Sequence, residues 1–330
     1  MTRTPPFRDP SGKFASGSIA EAGAWTIGGI DQWVMIRGRD AGNPLLVILH
    51  GGPGSSETAL FRAFNADLEG AFTVVYWDQR GAGRSYAKSI PPESMTVDRF
   101  VADLDELVET LLKRFARRQV VLLGHSWGSV LGVLYASAFP AKVAAYVGTG
   151  QVADMAASEA ASYAFVLARA EQRGHRKATQ ELRAIGPPPH TQKALMRQRR
   201  WLMAFGGAVA PGFSLPKLAW RALRTPEASL LDIPRLVQGS GFSIRYLWDT
   251  LMATDIGHDH RRFDMPVFFL LGRHDMQVVA TVAADYFETI EAPHKALVWF
   301  ENSGHFLPFE EPDRFNRVMI DQVRPFALTV

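Results

Sequence analysis

The chain has 330 residues, 47% hydrophobic and 21% charged, which fits a folded protein with a large core and excludes a disordered or fibrous one. It has no cysteine, which excludes a disulfide scaffold, a thiolate nucleophile and a Cys-ligated metal site. The 36 Lys and Arg exceed the 33 Asp and Glu by three, and these charges are dispersed without interleaved aromatics, so no nucleic-acid partner is expected.

In chain order, residues 1–24 read as a loose arm. Met1–Ser18 is rich in Pro, Gly and Ser and has no apolar h-region, so no signal peptide is expected. No apolar run is long enough to span a membrane, so no membrane partner is expected and the default location is the cytoplasm. Ala24–Ile27 and Gln32–Ile36 flank Gly28-Gly29, a hairpin signal. Leu45–Leu49 is short and apolar enough to be a strand buried on both faces, and it ends in His50-Gly51-Gly52-Pro53-Gly54. A helical pattern covers Glu57–Leu68. Phe72–Trp77 is the next buried strand, ending in Asp78-Gln79-Arg80-Gly81-Ala82-Gly83-Arg84-Ser85.

Thr96–Phe115 predicts an amphipathic helix capped by Thr96, with Phe100, Leu104, Leu107, Val108 and Leu111 on its apolar face. Val120–Leu123 and Val143–Gly148 read as strands with a helix between them. This alternation implies a mostly parallel sheet with right-handed crossovers. The rhythm breaks near Asp154. Residues 154–260 read as a helical insertion, broken by Gly186-Pro187-Pro188-Pro189, Pro211-Gly212 and Thr225-Pro226. Alternation resumes with a strand at Pro266–Leu271, a helix at Val278–Ile290, a strand at Lys295–Phe300 and a helix from about Pro312. The expected division is an arm 1–24, a core of 25–153 and 261–330, and a cap 154–260.

The chemistry centres on Gly124-His125-Ser126-Trp127-Gly128, between a strand and a helix. This is the setting of a nucleophile elbow, a strained turn that exposes a serine at a helix N-terminus. Glycines are needed where a Cβ would press strand against helix. A serine hydroxyl needs a general base, and the base needs an orienting acid. In the chain order of such sites the acid ends a late strand and the base follows the next one. Asp275, after Leu270-Leu271-Gly272, and His305, after Val298-Trp299-Phe300, occupy those places. The oxyanion donors expected are the N–H groups of Trp127 and Gly52, with Gly51 as the near alternative. No cofactor and no metal are required.

Other residues have plainer readings. His125 and His274 flank the expected triad and read as packing residues. His258-Asp259-His260 has metal-like spacing in a polar loop with no third partner, so it reads as solvated. Asp78, Arg80 and Arg84 read as a network that pins loops. Trp201, Met203, Phe205, Phe213, Trp220, Phe242, Trp248 and Met252 divide between an apolar substrate pocket and the core of the insertion.

Taken together, the motifs His50–Gly54, Asp78–Ser85, Gly124–Ser129, Gly272–Asp275 and Ser303–His305 resemble the prolyl iminopeptidase family of α/β-hydrolases. The resemblance covers about residues 43–150 and 264–325. It implies an α/β-hydrolase fold, a mostly parallel eight-stranded sheet flanked by helices with a helical cap, and a Ser126–Asp275–His305 triad. The family's peptidases remove N-terminal proline. They place a glutamate after a tryptophan pair to hold the substrate's α-ammonium, and the segment that looks closest here, Trp201–Gly207, has no acid. Glu159, Glu171, Glu181 and Glu227 lie elsewhere in the cap.

The expectation is therefore a serine hydrolase acting on a small molecule or short peptide. Prolyl aminopeptidase is the leading activity, with a carboxylesterase for a neutral, apolar acyl group as the alternative. A ligand receptor of the same fold is the reading from another class. Oligomeric state is left open.

Overall fold

The computed structural model describes residues 4–328; residues 1–3 of the arm and 329–330 of the core lie outside the described residues. Eight strands form one sheet: β1 (Ile19–Ile27), β2 (Ile30–Gly38), β3 (Leu45–Leu49), β4 (Thr73–Asp78), β5 (Val120–His125), β6 (Val143–Thr149), β7 (Val267–Gly272) and β8 (Lys295–Phe300). Their order is β1-β2-β4-β3-β5-β6-β7-β8. β1 and β2 pair antiparallel, as do β2 and β4, and every later pairing is parallel. Every residue of β3 to β7 is buried, as strands covered by helices on both faces must be.

One face of the sheet packs on the helices Val97–Phe115 and Trp127–Ala138 through Phe100, Leu104, Leu107, Val130 and Leu131. The Thr96 hydroxyl caps the first of these by accepting the Arg99 N–H. The opposite face packs on Phe61, Leu68, Phe315 and Met319. Two expectations shift. β1 begins at Ile19, inside the stretch read as a loose arm, because its half-exposed residues lack an apolar alternation. The pattern at 57–68 is an α-helix, Thr58–Phe64, followed by a separate 3₁₀ turn, Ala66–Gly70; the Asn65 side chain is drawn to the Pro308 carbonyl and to Asn316.

Between β6 and β7 the chain is helical, with helices Met155–Gln172, Arg176–Ile185, Gln192–Ala204, Leu215–Leu223, Ile233–Met252 and Ile256–Asp259. Its neck is closed by Met155 N–H to Thr254 O at 3.1 Å and Ile256 N–H to Ala153 O at 2.8 Å. The insertion has a small core of its own around Tyr163, Val166, Leu182, Leu202 and Phe205, with Trp201 against it. Phe242, Trp248 and Met252 instead pack on the main core, Phe213 joins the opposite layer, Met203 is exposed and Trp220 is 60% exposed. Among the described residues, no helix is long and apolar enough to cross a membrane.

Candidate active site

β5 ends at His125 and the next helix starts at Trp127, so Ser126 takes the turn alone, with φ 54° and ψ −120°. A non-glycine residue at positive φ is strained, and the packing on both sides holds it there. A Cβ at Gly124 would lie 2.6 Å from Gly128 O, and one at Gly128 would lie 1.9 Å from Leu49 O. Strand and helix can meet this closely only with glycine at both places. The Ser126 N–H donates to Thr149 O at 2.9 Å, and the Ser129 hydroxyl donates to Ser126 O at 2.6 Å.

Asp275 and His305 come together. Nδ1 of His305 lies 2.8 Å from Asp275 Oδ2, and each side chain is 2% exposed. The other oxygen, Oδ1, accepts the N–H groups of Gln277 and Val278 at 2.9 and 3.0 Å, which fixes the carboxylate's rotation. With Nδ1–H committed to Asp275, the lone pair of Nε2 is left free. The His305 ring stands against Gly150, where an added Cβ would lie 3.0 Å from its Cε1. Gly150 follows Thr149, the acceptor of the Ser126 N–H, so Ser126 and His305 share the C-terminal end of β6.

The loop after β3 differs from expectation at one atom. The Gly51 N–H is taken by Glu57 Oε2 at 3.1 Å, so this alternative donor is already used. Gly52 has φ +124° and its Cβ position is crowded by the nitrogens of Gly54 and Ser55, a site for glycine only. Among the described residues, neither the Gly52 N–H nor the Trp127 N–H is matched to a backbone or side-chain acceptor.

Four residues packed around these groups, His125, Glu57, His50 and Glu310, have placements that the sequence did not reveal. His125 Nε2 lies 2.9 Å from His305 O, and its Nδ1 lies 2.6 Å from Glu57 Oε1. Both ring nitrogens face acceptors, so the doubly protonated ring fits best. Burial works against that charge, but the Glu57 carboxylate more than offsets it, and His125 sits above its ordinary value. Glu57 shows the converse: burial raises it, and His125 pulls it below the usual carboxylate range. His50 is the opposite case. Its Nε2 accepts the Gln79 N–H at 3.0 Å and its Nδ1 faces Gly51 O at 2.8 Å, so the ring is neutral, and burial lowers its pKa.

Glu310 braces the loop of His305. Its Oε1 accepts the N–H groups of Gly304 and Phe306, both at 3.0 Å, on either side of His305. Its Oε2 accepts the Ala210 N–H at 2.7 Å. Burial raises this carboxyl to about 7, against the pull of the three N–H donors. The segment 207–210 also receives the Met276 N–H on Gly207 O at 2.7 Å and the His305 N–H on Ala208 O at 2.8 Å. The insertion thus braces the loops of both Asp275 and His305. Its long helix touches the other two loops: a Cβ at Gly239 would lie 2.6 Å from Gly81 O, and one at Gly54 would lie 2.5 Å from Ser243 Cβ.

Arg80 grips Asp103 at 2.7 Å and Gly28 O at 2.8 Å. Asp78 accepts the Arg84 N–H at 2.9 Å, and Arg84 reaches Asp232 at 2.6 Å. All three therefore pin loops. His258 bonds Asp259 at 2.8 Å and His260 bonds Ser137 at 3.0 Å, so the two rings do not converge. The His274 N–H donates to Ser303 O at 2.9 Å, which joins the loops after β7 and β8. Each cap glutamate has an arginine: Glu159 has Arg199, Glu171 has Arg183, Glu181 has Arg200, and Glu227 lies between Arg62 and Arg37.

Comparison with known proteins agrees with this architecture. The family model described as the alpha/beta hydrolase fold matches residues 44–312. A Bacillus subtilis (strain 168) protein named "Probable aminopeptidase YbaC" is 32% identical over 309 residues, covering 93% of this chain and 97% of that protein. A proline iminopeptidase of Saccharolobus solfataricus is 26% identical over 316 residues, 92% of this chain and 93% of that one. Among solved structures, a proline iminopeptidase-related protein of Thermus thermophilus superposes with a TM-score of 0.69 at 21% identity, over 94% of this chain and 100% of that chain. The chain is a hydrolase of the α/β-hydrolase fold and belongs to its prolyl iminopeptidase family.

Proposed function

We propose that this protein is a serine hydrolase that cleaves an ester or amide through an acyl-enzyme. Ser126 is the nucleophile, His305 the general base and then acid, and Asp275 its orienter. The observation that carries this reading is the buried 2.8 Å contact between Asp275 and His305, beside a serine held in a strained elbow. His305 Nε2 takes the Ser126 proton as Oγ attacks the carbonyl carbon. The N–H groups of Gly52 and Trp127 receive the oxyanion. His305 returns the proton to the leaving group, and water repeats the sequence on the acyl-enzyme. Residues 154–260 form the cap over a core of 25–153 and 261–330, which β1 extends back to Ile19, so that the arm ends at Ser18.

For the substrate, relatives named aminopeptidase and proline iminopeptidase support cleavage after an N-terminal residue. A specific observation favours the neutral alternative: all four cap glutamates are paired with arginine, so each has its charge countered before any α-ammonium arrives. We therefore propose a neutral acyl group as the preferred substrate. A fluorophosphonate probe should label the protein at Ser126, and Ser126→Ala should abolish labelling. Labelling that survives the substitution would overturn the assignment.

A further inference from the structure

We propose that one face of the cap docks the protein on an anionic lipid surface. The face is built by the helix Leu215–Leu223, the turn Leu230–Asp232 and the first turn of the helix Ile233–Met252, which together border one cavity of about 350 Å³. Leu231 is 85% exposed, Leu230 71%, Val237 68% and Trp220 60%, with Ile233 and Leu236 beside them. Folded proteins expose single apolar residues routinely; a cluster of this size marks an interaction surface.

The charges around the cluster choose the partner. Lys217, Trp220, Arg221 and Arg224 recur at helical spacing, forming one exposed stripe. Arg224 lies over the Trp220 ring at 4.3 Å, and Arg221 over Phe64 at 4.4 Å. Among the described residues, none of these three cations has a carboxylate partner. Between Glu181 and Asp249 the only acids are Glu227 and Asp232, and both are turned inward onto Arg62 and Arg84. On the cap's own segments the face is therefore apolar and cationic, with no free carboxylate among the described residues.

A second copy of this chain fits poorly. A two-fold contact sets the same patch against itself and would bring this cationic stripe toward its own copy. A lipid headgroup layer supplies what is missing, phosphates for the stripe and an apolar boundary for the side chains. Leu230 and Leu231 follow each other on a short turn and are the most exposed apolar side chains of the face, which suits insertion. The sequence has no spanning segment, and surface docking needs none.

The test is co-sedimentation of the full chain with vesicles. Binding to phosphatidylglycerol-containing vesicles should exceed binding to pure phosphatidylcholine vesicles by about tenfold or more. Arg221→Glu with Arg224→Glu should remove that preference. Leu230→Ser with Leu231→Ser should weaken binding about tenfold, and since both side chains face solvent it should leave the thermal midpoint and soluble-ester turnover unchanged. Failure of the wild type to bind either vesicle, or equal binding by wild type and both variants, would overturn the proposal. So would a dimer or an acidic protein partner that is lost with Leu230→Ser and Leu231→Ser while vesicles stay unbound.

Discussion

Glu57 Oε1 lies 2.6 Å from Nδ1 of His125, the residue immediately before Ser126. Its other oxygen holds the Gly51 N–H at 3.1 Å, and the far side of the His125 ring reaches His305 O at 2.9 Å. One buried ion pair thereby ties together the loop after β3, the elbow and the loop after β8. These three segments carry Gly52, Ser126 and His305.

Removing one partner of a buried pair leaves the other charge uncompensated, at a cost of about 3–5 kcal/mol. Glu57→Gln keeps an acceptor for Gly51, so the lower end, about 3 kcal/mol, is expected. The pH dependence separates this ion pair from plain packing. His125 is raised above 6.5, so its contribution is present below that value and is lost as pH rises through the folded value. Glu57 is lowered below 4.5, so its contribution is present above that value and is lost as pH falls through the folded value. The stability gap between wild type and Glu57→Gln should therefore be widest from about pH 4.5 to 6.5. A denaturant midpoint difference that is flat from acid to alkaline pH would contradict the pair.

Glu310 gives a second prediction. Its folded pKa is raised from 4.5 to about 7, so the folded state holds its proton more tightly than the unfolded chain. That contribution is present below 4.5 and is lost as pH rises through about 7. In Glu310→Gln the amide NH₂ must face at least one of the N–H donors of Gly304, Phe306 or Ala210. An unsatisfied buried donor costs about 1–3 kcal/mol. The variant should be destabilised by that amount and should lose its wild-type pH dependence of stability near neutrality. It should also lower kcat more than it raises KM, since the loop of His305 is loosened. An unchanged melting curve would show that Glu310 does not strut the loop.

The elbow gives a matched pair of glycine substitutions. A Cβ at Gly128 meets backbone, 1.9 Å from Leu49 O and 2.8 Å from His50 O, which cannot swing aside. Gly128→Ala should cost several kcal/mol and abolish probe labelling at Ser126. Gly241 sits within the helix Ile233–Met252 with nothing within 4 Å of its Cβ position. Gly241→Ala should leave labelling intact and stabilise the fold by up to about 1 kcal/mol, the helix-propensity difference. Denaturant unfolding of the two variants checks both values.

These cases also explain what was legible in the sequence. Strands buried on both faces must be apolar throughout, so Leu45–Leu49 and Val120–Leu123 announced themselves. The elbow was legible because its glycines answer a local clash, and Asp275 and His305 because each sits in the loop after a recognisable strand. Glu57 and Glu310 were not. Their partners are nearby backbone N–H groups together with His125 and the Ala210 N–H from distant segments, and a side chain that bonds backbone leaves no pattern among residue types. β1 was partly hidden because an edge strand is half exposed, and Ile19-Ala20-Glu21-Ala22-Gly23 has no clean alternation. The pairing of each cap glutamate with an arginine 12 to 165 residues away, from Arg183 with Glu171 to Arg62 with Glu227, was likewise invisible to local spacing.

That pairing sets the last prediction, which concerns the charge of the substrate. Glu171 and Glu181 are neutralised by Arg183 and Arg200 toward the surface, and Glu227 sits between two arginines. Glu159 is different. Like Glu227 it is 4% exposed and, among the described residues, has a buried Oε2 with no partner, but it has a single arginine to counter its charge, and it lies at the wall of a cavity of about 310 Å³. An α-ammonium entering a site without a free carboxylate loses hydration and gains nothing, at a cost of at least one or two kcal/mol even in a partly wet site, by an order-of-magnitude argument. Each 1.4 kcal/mol or so is about tenfold in kcat/KM. Proline p-nitroanilide should therefore be a worse substrate than its N-acetyl form by roughly tenfold or more. A preference for the free amine would reverse the neutral-substrate reading and point to Glu159 Oε2 as the ammonium's partner. Glu159→Gln would then erase that preference while sparing the N-acetyl substrate; if it spared the preference too, Glu159 would not be the clamp. A structural role alone would lower both substrates in parallel, so the ratio of the two rates, rather than either rate, decides the question.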